Sequence, residues 1–180
     1  MNDGLIPQRY AKALYKTALE KGNTAGVYEE MKRVVASFEA NPTLQKTLAN
    51  PFVSRSDKEM LMLEAAGDAE SDYKAFVKLI LDNHREEYAY AMALAYRRIY
   101  REENSISQVQ ITTAAPLGTH EIDRLKALVE KAFPGRKLEF HIAVNPELIG
   151  GFVIDVDSVR MDASLSNEIE QLRQKLLSSK

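Results

Sequence analysis

The spacing of apolar residues changes once along the chain, near residue 105, and this change constrains the fold more than any single motif. Before it, apolar residues recur every three or four positions, the period of one helix face. After it, Leu138, Phe140, Ile142 and Val144 alternate strictly, the period of a strand with one buried face. A pattern that buries its apolar side at one period exposes it at the other, so the two stretches belong to different structural classes. The chain reads as mainly α plus α+β: an N-terminal six-helix bundle over 1–105, then a small C-terminal α+β domain over 106–180. Its 180 residues are enough for two small domains.

In the first half, Pro7 suits an opening helical position, and Ile6, Tyr10, Leu14 and Ala18 continue the stripe to about Lys21. Gly22-Asn23 ends it. Val27, Met31, Val34, Val35 and Phe38 mark a second helix, closed by Asn41-Pro42. A third runs from about Leu44 to Leu48 and stops at Asn50-Pro51. Ser56-Asp57-Lys58-Glu59 reads as a capping box that opens a fourth helix to about Ala66. Gly67 to Ser71 reads as a loop. Phe76, Val77, Leu79, Ile80 and Leu81 lie on a fifth helix from about Asp72 to Asn83, and a sixth is expected unbroken from Glu86 to Glu103.

In the second half, Ile106 to Thr113 is a strand with Val109 and Ile111 on one face. A helix from Thr119 carries Ile122, Leu125, Val129 and Ala132. Strands follow at about 138–144, 151–156 and 159–162. Leu165, Ile169, Leu172 and Leu176 form one stripe on a last helix. The order is β-α-β-β-β-α.

Several function classes are disfavoured. Lysines and arginines total 24 against 26 acidic residues, split 15 to 16 up to Asn104 and 9 to 10 after it. Neither half has the basic excess of a nucleic-acid coat. There is no cysteine, hence no thiolate nucleophile or Cys-held metal. The longest apolar run, Tyr88 to Tyr96, falls well short of the roughly 20 residues of a spanning helix. Met1-Asn2-Asp3-Gly4 has no basic or apolar leader character. A soluble chain is expected, reaching a membrane only through a partner.

No catalytic, cofactor or metal set is assigned. His84, His120 and His141 are not at metal-ligand spacing. Asp155 and Asp157 stand one strand step apart beside a turn with no basic companion nearby, so a turn role is expected. Gly150-Gly151 precedes a strand rather than a helix, so it reads as a bulge or close backbone approach, not a phosphate cradle. Arg97, Arg98 and Arg101 alternate with Tyr96 and Tyr100, the one pattern that suggests RNA. Glu86, Glu87, Glu102 and Glu103 on the same helix favour a salt-bridged face. The first helix adds Ala11, Ala13, Tyr15 and Leu19 to its stripe. So wide an arc fits either a central bundle helix or a groove with small floor residues that receives a partner's amphipathic helix.

An ordered set of segments resembles a known family. Arg9-Tyr10-Ala11-Lys12-Ala13-Leu14-Tyr15 is similar to the start of the δ subunit of bacterial F-type ATP synthase, counterpart of the mitochondrial oligomycin-sensitivity-conferring protein. The likeness continues through Asn50-Pro51, Phe76 to Leu81 with Asn83 and Arg85, and Tyr96 to Tyr100. It extends through Ile111 to Leu117, Val144 to Phe152, and Asp162-Ala163-Ser164-Leu165. His84 departs from it, standing where the family often has glycine or a basic residue, and Asn145 replaces a common aspartate.

The resemblance implies a six-helix bundle and a smaller α+β domain that together cap the F1 head. It implies a non-catalytic stator joint with no cofactor, at the cytoplasmic face of a bacterial membrane. The N-terminal helix of an α subunit would lie between the first and fifth helices, on Tyr10, Ala13, Leu14, Leu79, Asn83 and, added to these, Ile80. The C-terminal domain would hold the b subunits of the peripheral stalk; the last helix, through Leu172 and Leu176, is the contact expected here. Core burial explains those two leucines equally well. Gly150 and Gly151 would be structural. A free-standing helical adaptor or RNA-binding module is the alternative.

Overall fold

The computed structural model describes residues 4–67 and 69–178. Residues 1–3, part of the N-terminal segment considered above, lie outside the described residues, as does Asp68 within the expected loop. The chain divides into two compact units, Met1–Asn104 and Ser105–Lys180.

The first unit holds six α-helices: α1 (Leu5–Glu20), α2 (Thr24–Ala40), α3 (Thr43–Ala49), α4 (Arg55–Ala66), α5 (Ser71–Asp82) and α6 (Ala89–Glu103). Its core draws Ala11 and Leu14 from α1, Met31 and Val34 from α2, Ile80 from α5 and Tyr96 from α6. Helix α1 packs against α2, α5 and α6. The alanines let it sit close: Ala11 and Ala18 are fully buried.

Two local expectations are corrected. The cap of α4 is Ser54, not Ser56: the Ser54 hydroxyl accepts the Asp57 N–H at 3.1 Å. Ser54 is extended, with ψ 151°, and so can serve as the cap, whereas Ser56 already lies inside the first turn. The sixth helix is not continuous from Glu86. Glu86–Tyr88 forms a single 3-10 turn before α6 begins. There Glu86 is drawn inward to Lys58 at 2.6 Å, an ion pair with both side chains nearly buried. Burial works against the charged Glu86 carboxyl, but the Lys58 hydrogen bond and charge hold it below its ordinary range.

Helices α1 and α5 end in the same way. In each, the N–H two residues past the cap reaches back five residues: Asn23 to Ala18 O at 2.8 Å, and Arg85 to Ile80 O at 3.0 Å. This closure needs a left-handed residue between. At α1 it is Gly22, with φ 70°; at α5 it is His84, with φ 52°. Glycine takes that conformation freely, while a side chain with a Cβ is strained there. His84→Gly should therefore raise stability by roughly 0.5–1 kcal/mol, read as a higher urea midpoint at unchanged slope. A lower midpoint would show that the imidazole's own contacts outweigh the backbone strain.

The second unit is a four-stranded mixed sheet with two helices. Strands β1 (Ile106–Thr113), β2 (Lys137–Val144), β3 (Gly151–Val156) and β4 (Val159–Ser164) lie in the order β2-β1-β3-β4. Helix α7 (Thr119–Ala132) makes the crossover between parallel β1 and β2, and α8 (Leu165–Ser178) follows β4. Val109 pairs with Phe140 and Val156, and Ile111 with Ile142 and Ile154, so one apolar face runs across the sheet. Val129, Leu125 and Phe133 of the α7 segment pack on it.

The reading of Asp155 and Asp157 as lacking basic companions is corrected. Arg160 is bidentate to Asp155, at 2.6 and 3.1 Å across the β3–β4 hairpin. Asp157 turns the chain with φ 51°, accepts the Gln108 N–H at 3.1 Å, and meets Arg136 at 3.3 Å. Arg136 lies twenty-one residues before Asp157, beyond the reach of local spacing, whereas Arg160 is only five residues past Asp155 and is the cross-strand neighbour that the hairpin register itself supplies. Asn145 accepts the Glu147 N–H at 3.0 Å, a turn that aspartate would make equally well.

Candidate functional site

The ion pair between Lys21 and Asp72 orients the two helices expected to form a groove. Tyr10, Thr17 and Lys21 fall on one side of α1 at helical spacing; Asp72, Leu79 and Asn83 do the same on α5. Lys21, just past α1, is bonded to Asp72 in the first turn of α5. That contact ties the end of α1 to the start of α5. From it, Tyr10 and Asn83 each stand eleven residues away, about 16 Å at 1.5 Å per residue. Leu79 and Leu14 each stand seven away.

Burial then separates the six expected residues. Ala13 and Asn83 are exposed, Tyr10 is half-buried, and Leu79 is 46% exposed despite its apolar side chain. Leu14 and Ile80 are different. They are 5% and 0% exposed and belong to the core, so the expectation that they line an open groove is corrected: the bundle buries both. The Asn83 amide donates to Leu79 O at 2.7 Å, which secures the end of α5.

Polar groups around the buried Glu30 clamp the start of α5, and no local pattern in the sequence signals them. Glu30, 1% exposed on α2, accepts the Glu70 N–H, and Asn23 donates to Glu70. The Arg33 guanidinium donates to Ala66 O at the end of α4. The second Glu30 oxygen, Oε2, has no partner among the described residues. Burial pushes the Glu30 carboxyl above its ordinary range, against the opposing pull of the Glu70 N–H. A raised carboxyl favours the folded state while protonated, and that contribution is lost as pH rises through the raised value. Glu30→Gln keeps the acceptor and removes the buried charge. The variant should lose this part of the pH dependence and be at least as stable as the parent at neutral pH. Urea titrations at a series of pH values measure this. A variant weaker at every pH would show that the charge itself holds α5.

The Arg97, Arg98 and Arg101 cluster is not a free basic patch. Arg98 pairs with Glu102 at 3.7 Å. Tyr96 is fully buried, its hydroxyl donating to Thr24 O at 3.1 Å, and Tyr100 stacks on Tyr28 with ring centres 4.2 Å apart. These rings are used in packing and do not form a stacking platform for bases. Among the described residues, no group of three or more His, Asp or Glu is placed to hold a metal ion. None of the described helices is long and apolar enough to cross a membrane.

In the second unit, Leu172 and Leu176 are 59% and 73% exposed. Core burial therefore does not account for them. Leu165 and Ile169 continue the same stripe and are exposed too.

Comparison with known proteins gives one consistent result. A family model described as ATP synthase delta (OSCP) subunit matches residues 6–176. The ATP synthase subunit delta of Phocaeicola vulgatus is 37% identical over 176 residues, covering 97% of this chain and 95% of that protein. The protein of the same name from Parabacteroides distasonis is 35% identical over the full length of both chains. The one from Desulfitobacterium hafniense is 30% identical, with 98% of each covered. A chain in the cryo-EM structure of the Toxoplasma gondii mitochondrial ATP synthase hexamer shares the fold. Its TM-score is 0.72 at 18% identity, with 98% of each chain covered.

Proposed function

The chain belongs to the ATP synthase delta (OSCP) subunit family, and on that premise we propose how its two units carry out the stator-linking role. The helical unit takes the N-terminal helix of an α subunit of the F1 head along the facing sides of α1 and α5. The α+β unit takes the b subunits of the peripheral stalk on the exposed stripe of α8. The chain is a non-catalytic joint, peripheral on the cytoplasmic face of the membrane as part of the complex. It resists rotor torque, so that ion-driven rotation becomes ATP synthesis.

The observation that carries the first contact is Leu79, an apolar side chain left half in water on α5, a helix that packs against α1. An amphipathic helix laid there would cover Leu79, with small Ala13 allowing close approach. The paired arginine and packed tyrosines of α6 leave the RNA-binding alternative without support.

The test is a titration of the full chain with two synthetic peptides. One is the N-terminal segment of the α subunit, and the other is the carboxyl-terminal segment of the stalk b protein. Both should bind, independently and at different units, and the purified chain should not hydrolyse ATP. Failure of the first peptide to bind, or ATPase activity that survives repurification, overturns the proposal.

A further inference from the structure

Helices α1 and α5 carry the same order of side chains around their axes. The reference direction on α1 is Lys21 and on α5 Asp72, the two ends of the ion pair that joins these helices. At about 20° from it stands a large side chain, Tyr10 on α1 and Leu79 on α5. An exposed alanine follows, Ala13 at about 80° and Ala75 at about 60°. A cation comes next, Arg9 and Lys78 each at about 120°, with Lys16 and Lys74 beyond them. All four cations are exposed.

The bundle gives these cations no countercharge. The side chains of Arg9, Lys16, Lys74 and Lys78 make no hydrogen bond or ion pair among the described residues. The acids of α1 and α5 are Glu20, Asp72 and Asp82. Asp72 is taken by Lys21, and Asp82 by Arg55 of α4, which leaves Glu20 alone to offset them. This side is therefore cationic on a chain whose formal charge is −2.

We infer that the surface selects an acidic helix. The N-terminal helix of the α subunit lays its apolar stripe on Leu79 and the alanines, and sets carboxylates against Arg9 and Lys16 of α1 and against Lys74 and Lys78 of α5. The inference rests on the reading of α1 and α5 as the α-subunit contact, and it names the chemistry that makes that contact specific.

The mixture of groups favours a helix over a bare polyanion. Leu79 and the two alanines call for an apolar stripe, which a phosphate backbone does not offer. Tyr10 is half-buried and does not present an open ring for stacking. Exposed charges at the rim of a contact act mainly on encounter, and salt screens them: the range is about 10 Å at 0.1 M and about 3 Å at 1 M.

The test compares association rates of the full chain with two peptides. One is the N-terminal segment of the α subunit, and the other is the same segment with every Asp and Glu changed to its amide. At about 20 mM NaCl the acidic peptide should associate at least about tenfold faster, and at about 0.5 M NaCl the difference should fall below about twofold. Arg9→Glu and Lys78→Glu should each reduce the advantage at least about threefold and keep the helical circular dichroism, because both side chains lie in water. Lys46→Glu, the same charge change at an exposed site on α3, should not reduce it. Equal rates for the two peptides, or an α-subunit segment without carboxylates, overturn the inference and leave the α1–α5 contact standing. Absence of binding at every salt concentration overturns the contact and the inference with it. A polyuridine oligonucleotide that binds as tightly as the acidic peptide, and is lost in the same two variants, overturns the choice of a helical partner.

Discussion

Gly151→Ala should unfold the α+β unit while leaving the helical unit intact. Two independent causes act at this position. The backbone has φ 75°, where a residue with a Cβ costs about 1–2 kcal/mol. A Cβ would also stand 2.1 Å from the Ala163 carbonyl oxygen, a backbone atom fixed in the β3–β4 ladder. The ladder must part to admit it, and the core it supports is small. The total should exceed about 3 kcal/mol, the range of severe single substitutions. Gly150→Ala should be milder. Its Cβ would meet only the Leu165 side chain, at 2.6 Å, and that side chain can rotate away.

The two units can be followed separately because all eight tyrosines lie at or before Tyr100. Near-ultraviolet circular dichroism from tyrosine therefore reports the helical unit and should be unchanged. Amide hydrogen exchange over 106–164 should lose its protection, with the exposed Lys131→Ala as an unaffected control. Full protection in Gly151→Ala would show that the hairpin shifts to accept the methyl group.

What is legible in the sequence follows from the range of each interaction. Apolar periodicity is local, and it places the eight helices and four strands of the described residues in order. Helix ends depend on a few atoms, and periodicity does not resolve them. Ser54 and Ser56 both precede an acidic residue at a suitable distance, and only the extended backbone of Ser54 decides between them. The break at Glu86 to Tyr88 is hidden because its cause, Lys58, lies twenty-eight residues earlier. The same holds for Arg136 beside Asp157, whereas Arg160 is within reach, because the hairpin register places it directly opposite Asp155. The left-handed His84 has no signal in the periodicity, because it follows from the Arg85 N–H closing back on Ile80 O.

The candidate site is legible as a pair of helices but not residue by residue. A period of 3.6 identifies a side of α1, yet Leu14 and Tyr10 are neighbours on it, and only packing shows which faces inward. On α5, Leu79 and Ile80 are adjacent in sequence and about 100° apart around the axis, one half in water and one fully buried. The Lys21–Asp72 pair and the Glu30 clamp are out of reach, because each joins different helices through groups that are ordinarily solvated.

The same distinction sets the expected contrast between Leu14→Asp and Leu79→Asp. At Leu14 the carboxylate would replace a side chain 5% exposed, packed in the main core. It would lose the leucine's burial and lack any partner for its charge. Cavity formation and an unpaired buried charge each cost several kcal/mol, so the bundle should unfold or melt far lower. At Leu79, with 46% of the surface in water, the carboxylate can stay hydrated. The free protein should keep its helical circular dichroism and melt within a few degrees of the parent. Docking of the α-subunit helix would then cover that charge with an apolar face and supply no partner. Affinity for the N-terminal peptide of the α subunit should fall at least about a hundredfold, the scale of a lost interface anchor. Leu79→Ala should fall between, because it removes contact area without introducing a charge. A folded Leu79→Asp protein with unchanged affinity would place the α-subunit helix on another face of the bundle. A folded Leu14→Asp protein would mean that α1 can move away from its core.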